Sequence, residues 1–287
     1  MSKDSNKPAS ELKIPKIIIL TGKFLSLIST KFATQFAAKL FATPLRHKIP
    51  KRELVMDTRS RQTKLLIPDI GKEVVLYEIG NSNKKILLVH GWSGRGTQLV
   101  KIADALLELG YSIVSFDAPA HGKSTGKTTL MPDFIAAILH IEKQYGPFEA
   151  AVGHSLGGMS LFNAVRRGLN IRRFVSIGSG DIVQDIIDDF IAKLQMKSTI
   201  GDSMRRYFEN KSGETMDSFS AYLSAKQINI PVLVIHDKDD DEVPVKCALH
   251  LHDHLPHGEL MITEGLGHRK ILGDSKVISR LTDFIRN

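Results

Sequence analysis

The sequence predicts an α/β protein with a mostly parallel, doubly wound sheet, an inserted helical cap and an N-terminal helical extension. Short β-branched segments alternate with segments of helical spacing from residue 74 onwards, as is typical of a parallel sheet covered on both faces. The alternation stops between Gly180 and Ile228, where polar helical segments predict the cap. The 287 residues are enough for one large domain with a buried core.

Composition excludes several classes of protein. Hydrophobic residues make up 42% of the chain and charged residues 24%, values close to the averages of globular proteins. A wholly disordered, a collagen-like or a polytopic membrane protein is therefore excluded. The single cysteine, Cys247, excludes an intrachain disulfide and a zinc site of paired cysteines. The apolar run Ile17–Leu20 is too short for a signal peptide, so we expect a cytoplasmic location.

The net charge of +8 belongs to the N-terminal segment. Residues 1–53 hold 11 Lys or Arg and 3 Asp or Glu, a balance of +8. Residues 54–287 hold 28 residues of each sign and are neutral. A basic patch on the body of the protein is therefore not predicted, and we expect no nucleic-acid partner.

Residues 1–53 are predicted to form a basic helical extension. Within it, Gly22–Ala42 has helical spacing, and three lysines interrupt it, which is atypical of a membrane-spanning helix. One interpretation is a helix packed on the main domain with its lysines in solvent. The other is an amphipathic helix that makes peripheral contact, through residues 22–42, with an anionic membrane surface. The apolar residues that recur every four positions are Phe24, Ile28, Phe32, Phe36 and Leu40.

The sheet is predicted from short apolar runs that are bounded by turn residues. These strands are Val74–Tyr77, Lys85–His90, Tyr111–Asp117, Ala150–Gly153, Arg173–Ile177, Val232–His236 and Leu260–Thr263. Helices are predicted where apolar residues recur at helical spacing, with Pro132 in one first turn and Gly110 after one last turn. These helices are Thr97–Leu109, Leu130–Tyr145, Leu156–Arg167 and Val277–Arg286. We assign residues 54–178 and 228–287 to the core and residues 179–227 to the cap.

The strongest motif is the run Gly153-His154-Ser155-Leu156-Gly157, which fits the pattern G-x-S-x-G. A serine hydroxyl is a poor nucleophile unless it is exposed and lies beside a base. A sharp turn from a strand into a helix supplies that exposure, and the predicted elements on either side of Ser155 provide such a turn. The strained backbone of the nucleophile requires small neighbours, and the two glycines meet that requirement.

Two later loops contain an acid and a histidine in the expected order. The acidic run Asp237–Glu242 follows the strand Val232–His236, and an acid in this place can orient and stabilise a histidine. His268 ends the glycine-containing loop Glu264–His268 after the last strand, which leaves room for an imidazole that acts as general base. The order Ser, Asp, His is the order expected of the G-x-S-x-G architecture.

Together with two further loops, these motifs resemble the α/β-hydrolase superfamily, and within it the serine esterases and lipases. The run His90-Gly91-Trp92 is similar to the family's H-G-x loop after the third strand. The run Phe116–Ser124 is similar to the family's D-x-P-x-x-G-x-S loop, and Asp240–Pro244 matches D-x-x-V-P. The resemblance covers residues 65–287, about four-fifths of the chain.

The resemblance implies a role for each of three residues. Ser155 would be the nucleophile, and His268 would take its proton and later deliver it to the leaving group. Asp240, which the D-x-x-V-P pattern selects, would hold His268 in the useful tautomer. Two neighbours of Asp240 and an acid after the preceding strand stay open as alternatives for this role. These alternatives are Asp239, Asp241 and Asp181.

The resemblance also implies an oxyanion hole made of two backbone N–H groups. One belongs to Leu156, the residue after the nucleophile, and the other to Trp92 in the loop after the third strand. We further expect Trp92 and His154 to contact the substrate. No metal or organic cofactor is implied, since the histidines between His250 and His257 lack a completing set of cysteine or carboxylate ligands.

A serine nucleophile suits acyl transfer to water. We therefore expect hydrolysis of a small-molecule carboxylic ester, or of a thioester, through an acyl-enzyme intermediate. The alternatives are a C–C bond hydrolase, a peptidase or a perhydrolase, among which the fold does not choose, and a slow-turnover ligand sensor that keeps the triad. Apolar residues of the cap either line a lipophilic pocket or bury against the core. These residues are Phe190, Leu194, Tyr207 and Phe208.

Overall fold

The computed structural model describes residues 14–287, and an eight-stranded sheet forms the centre of this part of the chain. The strands are β1 (Arg61–Ile67), β2 (Lys72–Ile79), β3 (Lys85–Val89), β4 (Ser112–Asp117), β5 (Phe148–His154), β6 (Ile171–Ile177), β7 (Val232–Asp237) and β8 (Gly258–Thr263). Their order across the sheet is β1-β2-β4-β3-β5-β6-β7-β8. The pairs β1–β2 and β2–β4 are antiparallel, and the other pairs are parallel. The mostly parallel sheet is therefore confirmed.

Helices cover both faces of the sheet. They are α1 (Lys16–Ile28), α2 (Thr30–Phe41), α3 (Leu54–Arg59), α4 (Val100–Glu108), α5 (Met131–Tyr145), α6 (Leu156–Arg166), α7 (Val183–Lys193), α8 (Ser198–Ser212), α9 (Ala221–Ala225), α10 (Lys246–Asp253), α11 (Gly267–Lys270) and α12 (Ser275–Arg286). Successive side chains of a strand point to opposite faces. Accordingly, Ile86 and Leu88 pack with α4 and α12, whereas Leu87 and Val89 pack with α5 and α6.

Strand β1 is absent from the predicted elements because its sequence lacks the regular alternation of apolar and polar residues. The run Arg-Gln-Thr-Lys-Leu-Leu-Ile is polar in its first half, and only Leu65 and Ile67 are buried. β1 lies at the edge of the sheet, where one partner strand suffices and polar side chains are favoured. A half-polar edge strand carries too few alternating apolar residues to be recognised by periodicity.

The prediction of one N-terminal helix over Gly22–Ala42 is wrong. The structure has two helices, α1 and α2, which are separated at Ser29. Ser29 adopts an extended backbone with φ −161° and ψ 126° and caps both helices. Serine is neutral to unfavourable within helices because its side chain competes for backbone hydrogen bonds, so it is a natural position for the break.

Three helices, α7, α8 and α9, lie between β6 and β7 in the segment that we interpret as the cap. Phe41, the last residue of α2, packs its ring against Phe190 and Phe208 of the cap at centroid distances of 5.1 and 6.0 Å. Leu194 and Phe208 are buried, whereas Tyr207 is exposed. Phe190 and Phe208 thus pack against α2 and Leu194 is buried, which for these three residues favours the packing interpretation over a lipophilic pocket.

None of the helices within residues 14–287 is both long enough and apolar enough to cross a membrane.

Candidate active site

Ser155 occupies a sharp turn between β5 and α6. Its backbone has φ 53° and ψ −122°, a positive φ that is uncommon for a residue other than glycine. The Ser155 N–H donates to the carbonyl of Ile177 at 2.9 Å, which holds the turn against β6. Backbone strain of this kind persists only where the surrounding structure enforces it, and it clusters at functional sites.

The glycines around Ser155 are required by close approach of neighbouring backbone. A Cβ atom on Gly153 would lie 2.7 Å from Gly158, and one on Gly157 would collide with the carbonyl oxygen of Val89. On the neighbouring loop, a Cβ atom on Gly91 would lie 2.9 Å from the Cβ of Ser155. The loop after β3 and the turn after β5 are therefore in direct contact at the expected nucleophile.

His268 and Asp240 form a buried hydrogen-bonded pair. The distance from His268 Nδ1 to Asp240 Oδ2 is 2.7 Å, and the two side chains are 5% and 1% exposed. The other carboxylate oxygen of Asp240 accepts the backbone N–H groups of Glu242 and Val243, at 2.9 and 2.8 Å. These bonds fix the carboxylate, so that Nδ1 of His268 carries the proton and Nε2 is free to act as a base.

A second histidine, His236, approaches the same carboxylate oxygen of Asp240. Its Nε2 is 2.9 Å from the carbonyl of Val243 and 3.4 Å from Asp240 Oδ2, and the ring is fully buried. Burial raises the pKa of Asp240, but the hydrogen bonds from His236 and then His268 outweigh burial and hold the pKa well below its usual range. Asp240 is therefore a carboxylate at neutral pH. His236 was not predicted from the sequence as part of the site.

The structure does not join Ser155 and His268 by a hydrogen bond. Within residues 14–287, His268 Nε2 lies 4.0 Å from Glu242 Oε2, and Ser155 Oγ has no side-chain hydrogen bond. Glu242 is also paired with Arg269 at 3.0 Å. Hydrogen bonds between nucleophile and base are often long without substrate and tighten when substrate binds.

The two N–H groups expected to form the oxyanion hole donate to no acceptor within residues 14–287. In the loop after β3, the N–H of Gly91 donates to Gln98 Oε1 and that of Ser93 to His121 Nε2, at 3.1 and 3.0 Å. The N–H of Trp92 between them has no acceptor among residues 14–287. Leu156 is the first residue of α6, so its N–H has no partner within the helix.

Asp237 and Asp239 connect the loop after β7 to the loop that ends at His268. This connection was not predicted from the sequence. The buried carboxylate of Asp237 accepts the N–H groups of Leu266 and Gly267, at 3.1 and 3.0 Å, directly before His268. Asp239 Oδ2 accepts the N–H of Gly265 at 2.8 Å. The available signal was the acidic run Asp237–Glu242, which holds more carboxylates than one histidine requires.

Asp181 lies in a different pair. Its carboxylate accepts a hydrogen bond from His250 Nδ1 and another from the N–H of Tyr222, at 3.0 Å for the latter. His250 belongs to α10 and Tyr222 to α9, so Asp181 fastens the base of the cap. Burial raises the pKa of Asp181. Of the four aspartates considered for the triad, Asp240 is the one that the structure places on His268.

The two residues expected to contact substrate differ in their exposure to solvent. Trp92 is 36% exposed and stacks edge-on against His121 at 5.3 Å. His154 is 2% exposed, and its Nε2 donates to the backbone carbonyl of His268 at 2.9 Å. Burial, together with the neighbouring His268, lowers the pKa of His154 to about 3. The expected substrate contact by His154 therefore does not fit its placement, because this buried neutral imidazole supports the backbone of the loop that carries His268.

A cleft of about 750 Å³ lies within the cap, between α7 and α8. None of the expected site residues lines this cleft. Its walls are Gln184, Asp188, Ile191, Ala192, Met196, Ser198, Asp202, Arg205, Met216 and Asp217.

Two family models match the chain. The model of the alpha/beta hydrolase fold matches residues 84–215, and the model of TAP-like proteins matches residues 211–287. Together the two matches extend from the start of β3 to the C-terminal residue and include the turn at Ser155 and both later loops.

Comparison with known proteins agrees with these matches. The chain is 26% identical over 231 residues to the lysophosphatidylserine lipase ABHD12 of Danio rerio, covering 72% of this chain and 59% of that protein. An esterase from Pyrococcus furiosus superposes with a TM-score of 0.66 at 17% identity, covering 85% of this chain and 98% of the esterase. An esterase from Exiguobacterium antarcticum superposes with a TM-score of 0.64 at 18% identity, covering 79% and 100%. The solved structures share the fold of this chain, and the two family models, which together match residues 84–287, show that the chain belongs to the α/β-hydrolase superfamily.

Proposed function

We propose that the protein hydrolyses carboxylic esters through an acyl-enzyme intermediate on Ser155. The observation that carries the proposal is the strained turn of Ser155. It follows the carboxyl end of β5, and the buried His268–Asp240 pair follows the carboxyl ends of β7 and β8 in the same sheet. Strand ends at the carboxyl edge of a parallel sheet are the usual place for such sites. Thioesters undergo the same acyl transfer and fall within the proposal.

The reaction begins with attack of Ser155 Oγ on the ester carbonyl carbon. His268 Nε2 takes the hydroxyl proton as the C–O bond to the enzyme forms, and Asp240 stabilises the resulting imidazolium. His268 then delivers the proton to the alcohol oxygen, and the ester C–O bond breaks. Water then attacks the acyl carbon while His268 Nε2 takes a proton from it. His268 delivers this proton to Ser155 Oγ as the acyl C–O bond breaks, which releases the acid and restores Ser155.

The N–H groups of Trp92 and Leu156 are placed in the oxyanion hole by this proposal. They would donate to the carbonyl oxygen as it becomes negative in the tetrahedral intermediate. Removing one donor of this kind typically costs about 3–4 kcal/mol of barrier. Because both donors are backbone groups, the shape of the loop after β3 matters more than the identity of side chain 92.

The names of similar proteins support an ester as the substrate. One relative is named a lysophosphatidylserine lipase, and the structural neighbours include several esterases and a protein described as a lipase. The chain spans about three-fifths of the length of the curated relatives that it matches. We therefore propose the ester class and leave the acyl and alcohol groups to be measured.

The experiment is hydrolysis of p-nitrophenyl esters, from acetate to laurate, by the wild type and by Ser155→Ala. We expect kcat to fall at least ~10³-fold in Ser155→Ala, because the nucleophile is gone. Ser160→Ala is the matched control, since Ser160 lies buried in α6, the helix that follows Ser155, and its hydroxyl bonds only within that helix. Equal turnover by wild type and Ser155→Ala would contradict the proposal.

A further inference from the structure

Helix α1 and the first turn of α2 present an apolar surface to solvent. Six large apolar side chains there are between 54% and 84% exposed. We call this surface the extension face. Its residues are Ile17, Leu20, Phe24, Leu27, Ile28 and Phe32.

Helix α1 is apolar on the side that faces the protein and also on the side that faces outwards. Positions 17, 20, 24, 27 and 28 follow helical spacing and lie on one side of α1, and that side faces outwards. The opposite side faces the protein through the buried Gly22, where a Cβ atom would lie 3.1 Å from Met196 Sδ of the cap. Ile18 and Leu25 are partly buried against the core on that same side, whereas no part of residues 14–287 covers the large apolar side chains of the outward side.

The charged side chains that the extension itself carries beside this face are all basic. Residues 14–52 contain eight Lys or Arg and no Asp or Glu. Lys16, Lys23, Lys31 and Lys39 are all exposed on the two helices. An apolar face bordered by lysines is the pattern of a helix that lies in the interface of an anionic membrane.

A second copy of the chain fits the same face less well. Two copies packed face to face about a two-fold axis would bring lysines of one copy against those of the other. Like charges at a desolvated interface oppose association, whereas anionic headgroups neutralise them. Contiguous exposed apolar patches mark an interaction site, and here the charge selects the kind of partner.

We propose that the extension face docks on a lipid bilayer that contains anionic lipid. Helix α1, with 13 residues, would lie in the plane of the membrane over a length of ~20 Å. Its apolar side chains would enter the boundary between headgroups and acyl chains, and the lysines would contact the headgroups. The inference goes beyond the proposed function and does not depend on it.

The extension is attached to the loop that carries Trp92. The N–H of Leu45 donates to Ser93 Oγ at 3.0 Å, and Arg95 donates to the carbonyl of His47 at 2.7 Å. Leu45 is itself an exposed apolar side chain, as Trp92 is in part. The segment that follows α2 is therefore hydrogen-bonded directly to the candidate active-site loop.

The test is co-sedimentation of the full chain with vesicles of phosphatidylcholine alone and of phosphatidylcholine with about 30% phosphatidylglycerol. The disrupted variant is Leu20→Ser/Phe24→Ser/Leu27→Ser. The matched control is Leu66→Ser/Leu109→Ser/Leu249→Ser, which removes three leucines of 44–58% exposure elsewhere on the body. Circular dichroism confirms that each protein is folded.

We expect wild type and control to bind the anionic vesicles, and the disrupted variant to bind at least ~10-fold more weakly, because each apolar side chain contributes to partitioning. Binding should weaken on removal of the anionic lipid and at about 0.5 M salt. Equal binding by the disrupted variant and the control would overturn the proposal. Failure of the wild type to bind either kind of vesicle would also overturn it. If light scattering then found that the wild type is a dimer and the disrupted variant is not, the face would be assigned to a second copy of the chain. Sedimentation needs no catalysis, so its failure is separate from failure of the proposed function.

Discussion

At the scale of single residues, the proposed chemistry depends on how the acidic loop after β7 distributes its carboxylates. Asp237 and Asp239 accept backbone N–H groups of the loop that ends at His268, and Asp240 accepts His268 itself. The motif D-x-x-V-P selected Asp240 on spacing alone. The supporting roles of Asp237 and His236 could not be predicted, because their partners arise only when separate loops meet in the fold.

Asp240→Asn is expected to lower kcat at least ~10³-fold, since an amide cannot hold His268 in the required tautomer or stabilise its charged form. Asp181→Asn should leave kcat within about fivefold of the wild-type value, because the carboxylate of Asp181 accepts hydrogen bonds from His250 and Tyr222 and none from His268. Steady-state hydrolysis of a p-nitrophenyl ester by both folded variants measures the difference. The reverse order of effects would move the acid to Asp181.

His236 is expected to act as a positioning residue for Asp240. His236→Phe removes the buried donor at 2.9 Å from Val243 and 3.4 Å from Asp240, and should lower kcat ~10- to 100-fold while KM stays near the wild-type value. His236→Gln keeps a donor and should recover part of kcat. A purely structural role would instead lower stability in both variants with no separate change in kcat.

At the scale of elements, the carboxyl end of β4 connects the sheet to the loop that carries Trp92. The buried Asp117 carboxylate accepts the N–H of Gly96 at 2.7 Å, the N–H of Lys123 at 2.6 Å and the hydroxyl of Tyr77 at 2.9 Å. Burial raises the pKa of Asp117 against these hydrogen bonds. One carboxylate therefore holds three separate segments together beside the site.

Asp117→Ala is expected to lower the free energy of unfolding by about 3 kcal/mol, because it leaves two buried N–H groups and a hydroxyl without an acceptor. Urea denaturation at neutral pH measures the change. Asp104→Ala, which removes a partly exposed aspartate paired with Arg59, is the control and should change stability by less than about 1 kcal/mol. A loss at Asp117 no larger than at Asp104 would contradict this account of the loop.

The elements also show where sequence patterns were sufficient. β7 is buried along its whole length and was predicted within one residue, because a central parallel strand is apolar throughout. β1 was missed, since only Leu65 and Ile67 of its seven residues are buried. The break at Ser29 was missed because the apolar series from Phe24 to Leu40 keeps its spacing across it. Spacing alone does not say which side of a helix the body covers.

At the scale of the whole molecule, burial of neutral histidines links stability to pH. Burial lowers the pKa of His121 to about 4, from an ordinary value of 6.5. Its Nδ1 donates to the carbonyl of Pro119, and its Nε2 accepts the N–H of Ser93. Between these two pH values the unfolded chain binds a proton at His121 that the folded chain does not. His121 therefore contributes stability at neutral pH that is lost as pH falls from 6.5 towards 4.

His121→Gln is expected to flatten this dependence. Between pH 6.5 and 4.5 the free energy of unfolding of the variant should fall less steeply than that of the wild type. The difference between the two slopes should be ~1.4 kcal/mol per pH unit, which corresponds to one proton. Urea denaturation at a series of pH values gives both slopes. Leu281→Ala, a buried apolar truncation in α12, lowers stability without removing a histidine and should keep the wild-type slope. Parallel curves for wild type and His121→Gln would contradict the linkage.

The most direct test of the central claim is reaction of the whole protein with a fluorophosphonate, followed by intact mass and peptide mapping. Such a reagent phosphonylates a serine only where a base and an oxyanion hole activate it. We expect one adduct per chain, on Ser155, and none on Ser155→Ala or, on the same time scale, on Asp240→Asn. An adduct on another serine, or equal labelling of wild type and Ser155→Ala, would contradict the assignment of Ser155 as the nucleophile.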